Sequence, residues 1–527
     1  MNTASIYDSA IAGLQYAQAG MVATSQNVTG SNVAGYVRRN PNLQISSLSP
    51  SSIEAGGTAF SVEGFTRNFN ALLQNQLLSQ QSKTSFTATL TQAVSTLDAM
   101  LVDPSASIAT ALGHFFNAAG SLANDPTNQA YQQALTGAAN QVGDRIRGLA
   151  DVVGSLEQDA RQGMADVLNQ ANSLAPQLAD VNARIKDATV PGVSYPSGDL
   201  LDERDRITSK LQELIGGTTT INEDGTASYS VDGVQLVDRV RSNQFSLATG
   251  SATLTPDNSL PLKLYMAVPA SPDPGQQSGN LQAGGKLQLT PLSATTFKDG
   301  QAGAYALLVQ NFVPTLQKSL NLLSLELVDQ VNAISTSNGT ASTAALFGFA
   351  AISSGGSPIT DLTANSESTV NNRSVDALLR SASFDELINM ADPASSLYSR
   401  EVEATLLNQK YDARLFKSVA SFAPSQFASM TAATATSLEG LRSTFTRPVT
   451  FITSSVANTI STWNNQHTTN ETMSQVLSDQ KSAISGVNLD EEAANLVKYQ
   501  QLYNAASKLI QTNRQMFDTL LAMLAGN

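Results

Sequence analysis

The 527-residue chain has no cysteine, only two histidines and one tryptophan, and just 14% charged residues. The missing cysteines exclude disulfides, thiolate metal sites and thiol nucleophiles together. His114 and His467 lie far apart in the sequence, and neither is read as part of a metal-ligating group. His114 precedes Phe115-Phe116 in a helical pattern and is expected to pack between helices, whereas His467, in the polar run "NNQHTTNE", is expected to be solvated. The first basic residue is Arg38, so a secretory signal with a basic start is lacking. No apolar run approaches the roughly 20 residues of a membrane span, so no membrane insertion is expected. A formal net charge of −13 argues against a nucleic-acid partner.

Catalytic signals are equally scarce. "NLQAGGKLQL" has Asn280 where a phosphate loop needs its first glycine and Leu287 where it needs a hydroxyl. Neither a G-x-S-x-G elbow nor a dinucleotide fingerprint is found. The expectation is a protein that is not an enzyme, with no catalytic, cofactor-binding or metal residues.

What the chain does have is helical periodicity at both ends. Leu496, Tyr499, Tyr503, Ala506, Ile510, Asn513, Phe517, Leu520 and Leu524 alternate by three and four, a coiled-coil seam with one polar interruption at Asn513. Tyr7, Ile11, Leu14, Gln18, Met21, Ser25 and Val28 follow the same rhythm, flanked by Ala10, Gly13, Ala17 and Gly20, which would let another helix approach closely. Either the termini pair with each other, or both are ordinary amphipathic helices on a globular core.

Between the ends, short extended pieces follow Arg38, and helical patterns run from about Leu72 to Leu101. Asp103-Pro104 and Asp125-Pro126 punctuate, each before a helix start. From Tyr131 to Ile185 one apolar stripe predicts a rod of roughly 80 Å, with a kink at Pro176. "SGDLLDERDRITSKLQELIGG" reads as a helix with Asp199 as N-cap, a solvated, dipole-matched start at Asp202 and Glu203, and a stop at Gly216-Gly217. Period-two segments joined by Asp224-Gly225 and Asp232-Gly233 predict a β-meander near 218–289. A second long helix is expected over Ala304–Ile334, a polar insert over 335–403, and helices again from about Ala404. The fold class is therefore mainly α with a β-rich portion. Its expected parts are a terminal coiled coil (1–35 with 489–527), a helical middle domain (36–334 with 404–488) and a small irregular or β-rich outer insert (335–403).

"SAIAGLQYAQAGMVATSQNVTGSNVAGYVRRN" resembles the N-terminal signature of bacterial flagellar axial proteins, through Asn27, Asn32, Gly35, Tyr36 and Arg38. "SGVNLDEEAANLVKYQQLYNAASKLIQTNRQMFDTLL" is similar to the closing helix of the rod, hook and hook-associated members. "DLLDERDRI", with "GGKLQLTPL" and "LNLLSLELVDQVNA", resembles the hook–filament junction members in particular.

The resemblance implies a structural component of the flagellum that connects hook to filament and is needed for filament assembly and motility. It implies type III export without a cleaved signal peptide to an extracellular position at the junction. It further implies self-assembly into a ring, contact with the hook protein and a second junction protein, and a cytosolic export chaperone on the C-terminal helix. Ile11, Leu14, Met21, Leu496, Tyr503, Ile510, Phe517, Leu520 and Leu524 would carry assembly by packing. A hook or rod protein, or a secreted adhesin, are the alternatives.

Overall fold

The computed structural model describes residues 3–33, 35–46, 59–103, 107–188, 198–247, 264–269, 287–291, 296–336, 346–349, 353–354, 357–358, 413–418 and 430–525. Helix α1 (Thr3–Gly30) is followed by an antiparallel hairpin, β1 (Arg39–Ser46) with β2 (Ala59–Arg67), whose register shifts between Pro41 and Leu43. Helix α2 (Ala71–Ala93) starts at Asn70, whose side chain accepts from the Leu73 N–H. Short α3 (Ser95–Val102) and α4 (Ile108–Asn124) lead to α5 (Gln129–Ala188), 60 residues and thus about 90 Å of continuous helix. The expected rod is present, and its helix continues through Pro176.

Helix α6 (Gly198–Ile215) ends at Gly216-Gly217, as expected, and buries Ile207, Leu211 and Leu214. Next come β3 (Thr218–Ile221), β4 (Ala227–Val231), β5 (Val234–Asp238) and β6 (Arg241–Ser242), paired antiparallel in chain order. The β4–β5 turn is made by Asp232 and Gly233, with φ of 49° and 80°. Both residues lie in the left-handed region that a two-residue hairpin loop demands, which is why Asp-Gly stands there. A second antiparallel sheet contains β7 (Gln244–Leu247), β8 (Leu264–Pro269) and β9 (Leu287–Pro291).

The second long helix begins at α7 (Gly300–Leu307), passes through a π turn at Leu308–Phe312 and continues as α8 (Val313–Thr336). Strand β10 (Phe347–Phe349) precedes two short paired strands, β11 (Ser353–Ser354) and β12 (Ser357–Pro358). A 3-10 turn (Ala413–Leu415) and β13 (Phe416–Ser418) bring the chain back, with β13 pairing with β10. Helices α9 (Ala432–Gly440), α10 (Arg442–Ser485) and α11 (Leu489–Ala525) complete it.

Three expectations need correction. Residues 413–418, inside the stretch read as helical from about Ala404, form a turn and a strand; 404–412 and 419–429 lie outside the described residues, and described helix resumes at Ala432. Leu346 and Phe347 fall in the stretch read as a polar insert, yet both are fully buried. Two consecutive apolar residues are enough to fill a core slot when a strand partner fixes them; most of 335–403 lies outside the described residues. The histidines exchange roles. His114 is exposed, on the opposite side of α4 from Phe115 and Phe116, while His467 sits 3.4 Å from Thr87 Oγ1 and 4.0 Å from Glu471, one helical turn on.

Two hydrophobic cores share α5. Its first half, Leu135 to Ala160, packs with α4, α8, α9 and the first part of α10 around Phe115, Phe116, Phe347, Phe416 and Phe445. Its second half, Met164 to Ile185, packs with α6, α7 and the meander around Tyr229. Among the described residues, neither core contains anything before Phe86 or after Trp463.

Helical asparagines tie strands to these helices. Asn182 donates to Ala227 O (2.7 Å) and accepts from Ala227 N (2.9 Å). Asn172 makes the same pair with Phe245, and Asn332 bridges Leu346 N and Phe347 O.

Phe115 stacks edge-on to Phe116 and against Phe347, all buried. Phe115→Ala should therefore cost about 3–5 kcal/mol, read from the urea midpoint of the far-UV circular dichroism signal.

Candidate functional site

Helices α1 and α11 lie antiparallel: Gly13 faces Ala506, Gly20 faces Tyr499, and Asn27 faces Glu492. The termini do pair with each other, but the seam on α1 differs from the expected one. Its buried positions include Ala10, Ala17 and Gly20, small residues read as flanking the stripe, together with Ala12, Ala23, Thr24 and Asn27. Tyr7 and Val28 are exposed at 45% and 43%, and Ile11, Leu14 and Met21 are half-buried.

The reason is volume. A Cβ at Gly20 would stand 2.4 Å from the Tyr499 ring, so only glycine lets that ring enter the seam. Tyr499 also meets Tyr16 edge-on at 5.7 Å. Close backbone approach favours the small stripe, and the helix turns its larger side chains away.

On α11 the buried positions are Glu492, Tyr499, Ala506 and Asn513, spaced by sevens, with Tyr503 and Ile510 half-buried beside them. Asn513, read as an interruption, is part of the seam. Leu496 and Phe517, expected in it, are 37% and 57% exposed. Leu520 and Leu524 lie in the helix, but their side chains fall outside the described residues. With Leu489, Leu502, Leu509 and Met516, also exposed, Leu496 and Phe517 give α11 a second apolar stripe that α1 does not cover.

A polar knot closes the open end of the coil. Asn27 donates to Arg39 O (3.0 Å) and Glu492 Oε2 (3.1 Å), while its Oδ1 accepts from Arg39 N and the Tyr36 hydroxyl (both 2.9 Å). The Tyr36 ring packs over Gly30 and under the Arg39 guanidinium, 4.8 Å away. Arg38 pairs with Glu491 (2.7 Å) and Glu492 (2.8 Å), and its N–H donates to Ser485 O (3.0 Å). The structure thus unites Asn27, Tyr36 and Arg38. Asn32 and Gly35 are exposed in the turn that returns the chain to the knot, Gly35 with φ of 85°.

The start of α6 is solvated only in part: Asp199 is exposed and Glu203 partly so, but Asp202, contrary to expectation, is largely covered. Arg39, 4% exposed, reaches Asp199 (2.7 Å) and Asp202 (2.9 Å), and Arg67, 7% exposed, reaches Asp202 and Asp205 (both 2.7 Å). Arg204, also buried, pairs with Asp205 (2.6 Å). Helix α6 begins at Gly198, so Asp199 stands within its first turn rather than capping it. Asp199, Asp202 and Asp205 follow at three-residue steps and share a face, a ready acceptor for two arginines.

Burial raises the Asp202 carboxyl above its usual range, outweighing the opposing pull of Arg67 and Arg39. Burial opposes the Arg39 charge, but hydrogen bonds to Asp199 and Asp202 hold its pKa above the ordinary value. Arg39, Arg67, Asp199, Asp202, Asp205, Glu491 and Glu492 were all missed as site residues. An arginine in a strand-like stretch and a helix dense in both charges carry no sign of one another in sequence.

Asn27→Ala leaves the Arg39 N–H and C=O without partners and should destabilise the coil by about 1–3 kcal/mol. Hydrogen exchange confined to α1, α11 and the hairpin would check it. Burial, with Tyr16 and Glu492 adding to it, pushes Tyr499 up to about 12. The folded state then holds a proton that the unfolded phenol releases near pH 10, so this stabilisation is complete below pH 10 and lost as pH rises toward about 12. Tyr499→Phe should flatten that part of the alkaline stability profile.

A model described as the flagellar hook-associated protein FlgK helical domain matches residues 94–345, and one described as the flagellar basal body rod FlgEFG protein C-terminal region matches 480–523. Flagellar hook-associated protein 1 of Salmonella typhimurium is 25% identical over 98% of this chain and 99% of its own length. The protein of the same name from Escherichia coli is 24% identical with the same coverage. A solved structure, the flagellar hook junction protein FlgK from Burkholderia pseudomallei, aligns with 23% identity and a TM-score of 0.42, over 53% of this chain and 47% of that one. Over nearly its whole length the chain is similar to flagellar hook-associated protein 1, and the two matching models cover the larger part of its body and its C-terminal helix.

Proposed function

We propose that this chain is a structural component of the flagellum that joins hook to filament. One observation carries the molecular reading: the coiled coil satisfies itself with small residues and leaves its large ones outside. Leu496, Leu502, Leu509 and Met516 on α11 and Ile11, Leu14 and Met21 on α1 are exposed or half-buried, although their seam is already filled. Burying each large apolar side chain would contribute about 1.5–3 kcal/mol. A helix pair with two apolar faces has one for its own partner and one for neighbouring copies. No step requires catalysis.

That surface supports contact between copies, and the similarity to flagellar hook-associated protein 1 supports the other partners. Copies of the chain assemble side by side through α1 and α11 into a ring, the hook protein stands below and a second junction protein above. Before export, a cytosolic chaperone covers the exposed stripe of α11. A hook or rod protein is the second reading, favoured by the match of 480–523 to the rod-type C-terminal region. Against it stands the match of 94–345, which covers the body. The ends serve any axial position, and the body distinguishes them.

The test is deletion of the chromosomal copy followed by complementation. Hooks without filaments, with flagellin released to the medium and full rescue by the intact chain, is the expected result. Normal filaments on motile cells would refute the reading. Leu502→Asp with Leu509→Asp should leave the monomer's circular dichroism and melting unchanged, because both side chains are exposed, yet fail to restore filaments.

A further inference from the structure

The terminal coil and the body share no hydrophobic core: among the described residues, neither body core includes any part of α1, the hairpin or α11. Leu73, Leu77 and Leu78 are buried on the first turns of α2, and the side-chain hydrogen bonds and ion pairs that join the parts are these. The lower part of α2 and the end of α10 form a two-helix stalk, in which Gln80 Nε2 donates to Asn470 O and Oδ1 (both 3.1 Å) and Thr84 donates to Asn470 O (3.1 Å). At the top of the stalk the helix breaks at Gly486 and resumes as α11. Beside it runs the hairpin. Arg39 holds the coil through its own backbone, by both hydrogen bonds to Asn27, and the body through its guanidinium, by Asp199 and Asp202. Arg67, on the other strand, adds Asp202 and Asp205.

We propose that this hairpin is an electrostatic strut: Arg39 and Arg67, seated on the α6 carboxylates, fix the direction of the terminal coil, and their release lets the coil swing about Gly486 while coil and body stay folded. Apolar contacts would resist such a swing by exposing area to water. Ion pairs have discrete, separable partners, and the carboxylates they leave regain solvation. The geometry has the features of a two-state joint. Its pivot is a three-residue break between long helices, its latch reaches from another element, and each side carries its own packing.

The absence of cysteine makes the test direct. Spin labels on Gln500→Cys, exposed on α11, and Arg184→Cys, exposed on α5, report the distance between coil and body in the full chain. The parent should give one narrow distance peak. Arg67→Gln, and separately Asp202→Asn, should add a second peak, since losing one member of a largely buried pair shifts such an equilibrium by roughly a hundredfold. The melting of the body and the hydrogen-exchange protection of α1 and α11 should stay as in the parent. Arg67→Lys, which keeps a cation between Asp202 and Asp205, should keep the single peak. An unchanged narrow peak in the single variants, a broad distribution already in the parent, or broadening accompanied by unfolding of the hairpin or α6 would each overturn the proposal.

Discussion

The structure depends on one side chain used the same way four times: an asparagine on a helix that gives its amide N–H to a strand carbonyl and takes that strand's N–H on its oxygen. Asn27 holds Arg39, Asn172 holds Phe245, Asn182 holds Ala227, and Asn332 holds Leu346 and Phe347. A mainly helical chain with short strands faces a particular difficulty, because strand edges turned toward a helix meet no complementary backbone there. A carboxamide reproduces the donor and acceptor of a neighbouring strand. Each clamp fixes where one β element sits along a helix, and the long-range order of the chain is set at these points.

Charge works differently from the clamps. With 14% charged residues the chain has few ions to place, and it concentrates them where the hairpin meets α6 and where Arg38 meets Glu491 and Glu492. Largely buried pairs add little net stability against a well-packed apolar alternative, but they tolerate only their own geometry. Their place between coil and body therefore suits orientation better than cohesion. Cohesion comes from the two cores along α5, around the phenylalanines in its first half and around Tyr229 in its second.

Much of this was legible in the sequence. The apolar stripe from Tyr131 to Ile185 matched a helix over Gln129–Ala188, and the Asp-Gly pairs fell at the turns of the meander. The pairing of the ends was open to two readings and resolved to the coiled coil. What failed was the face of α1. A rule that assigns the largest apolar residues to the seam chose Ile11, Leu14 and Met21, whereas closeness of approach selected Ala10, Ala17 and Gly20. The ring of Tyr499, a partner hundreds of residues away, decided the matter, and one-dimensional periodicity holds no information about it. The same limit applies to Arg39 and Arg67, whose carboxylates lie on a helix that looked self-sufficient.

That failure bears on function. In a protein that ends its career as a monomer, large residues left outside a filled seam would be a liability, drawing copies together without order. In the proposed assembly they are the contacts between copies, and the small-residue seam lets one chain bring its two ends together first. An axial subunit has to meet two demands with one helix pair: hold itself, and hold its neighbours. Dividing the residues by size between the two faces meets both, because glycine and alanine allow close packing within the chain while leucine and methionine supply area between chains. The coil then presents a preformed surface, which Asn27 ties to the hairpin and which the proposed strut of Arg39 and Arg67 on α6 would aim.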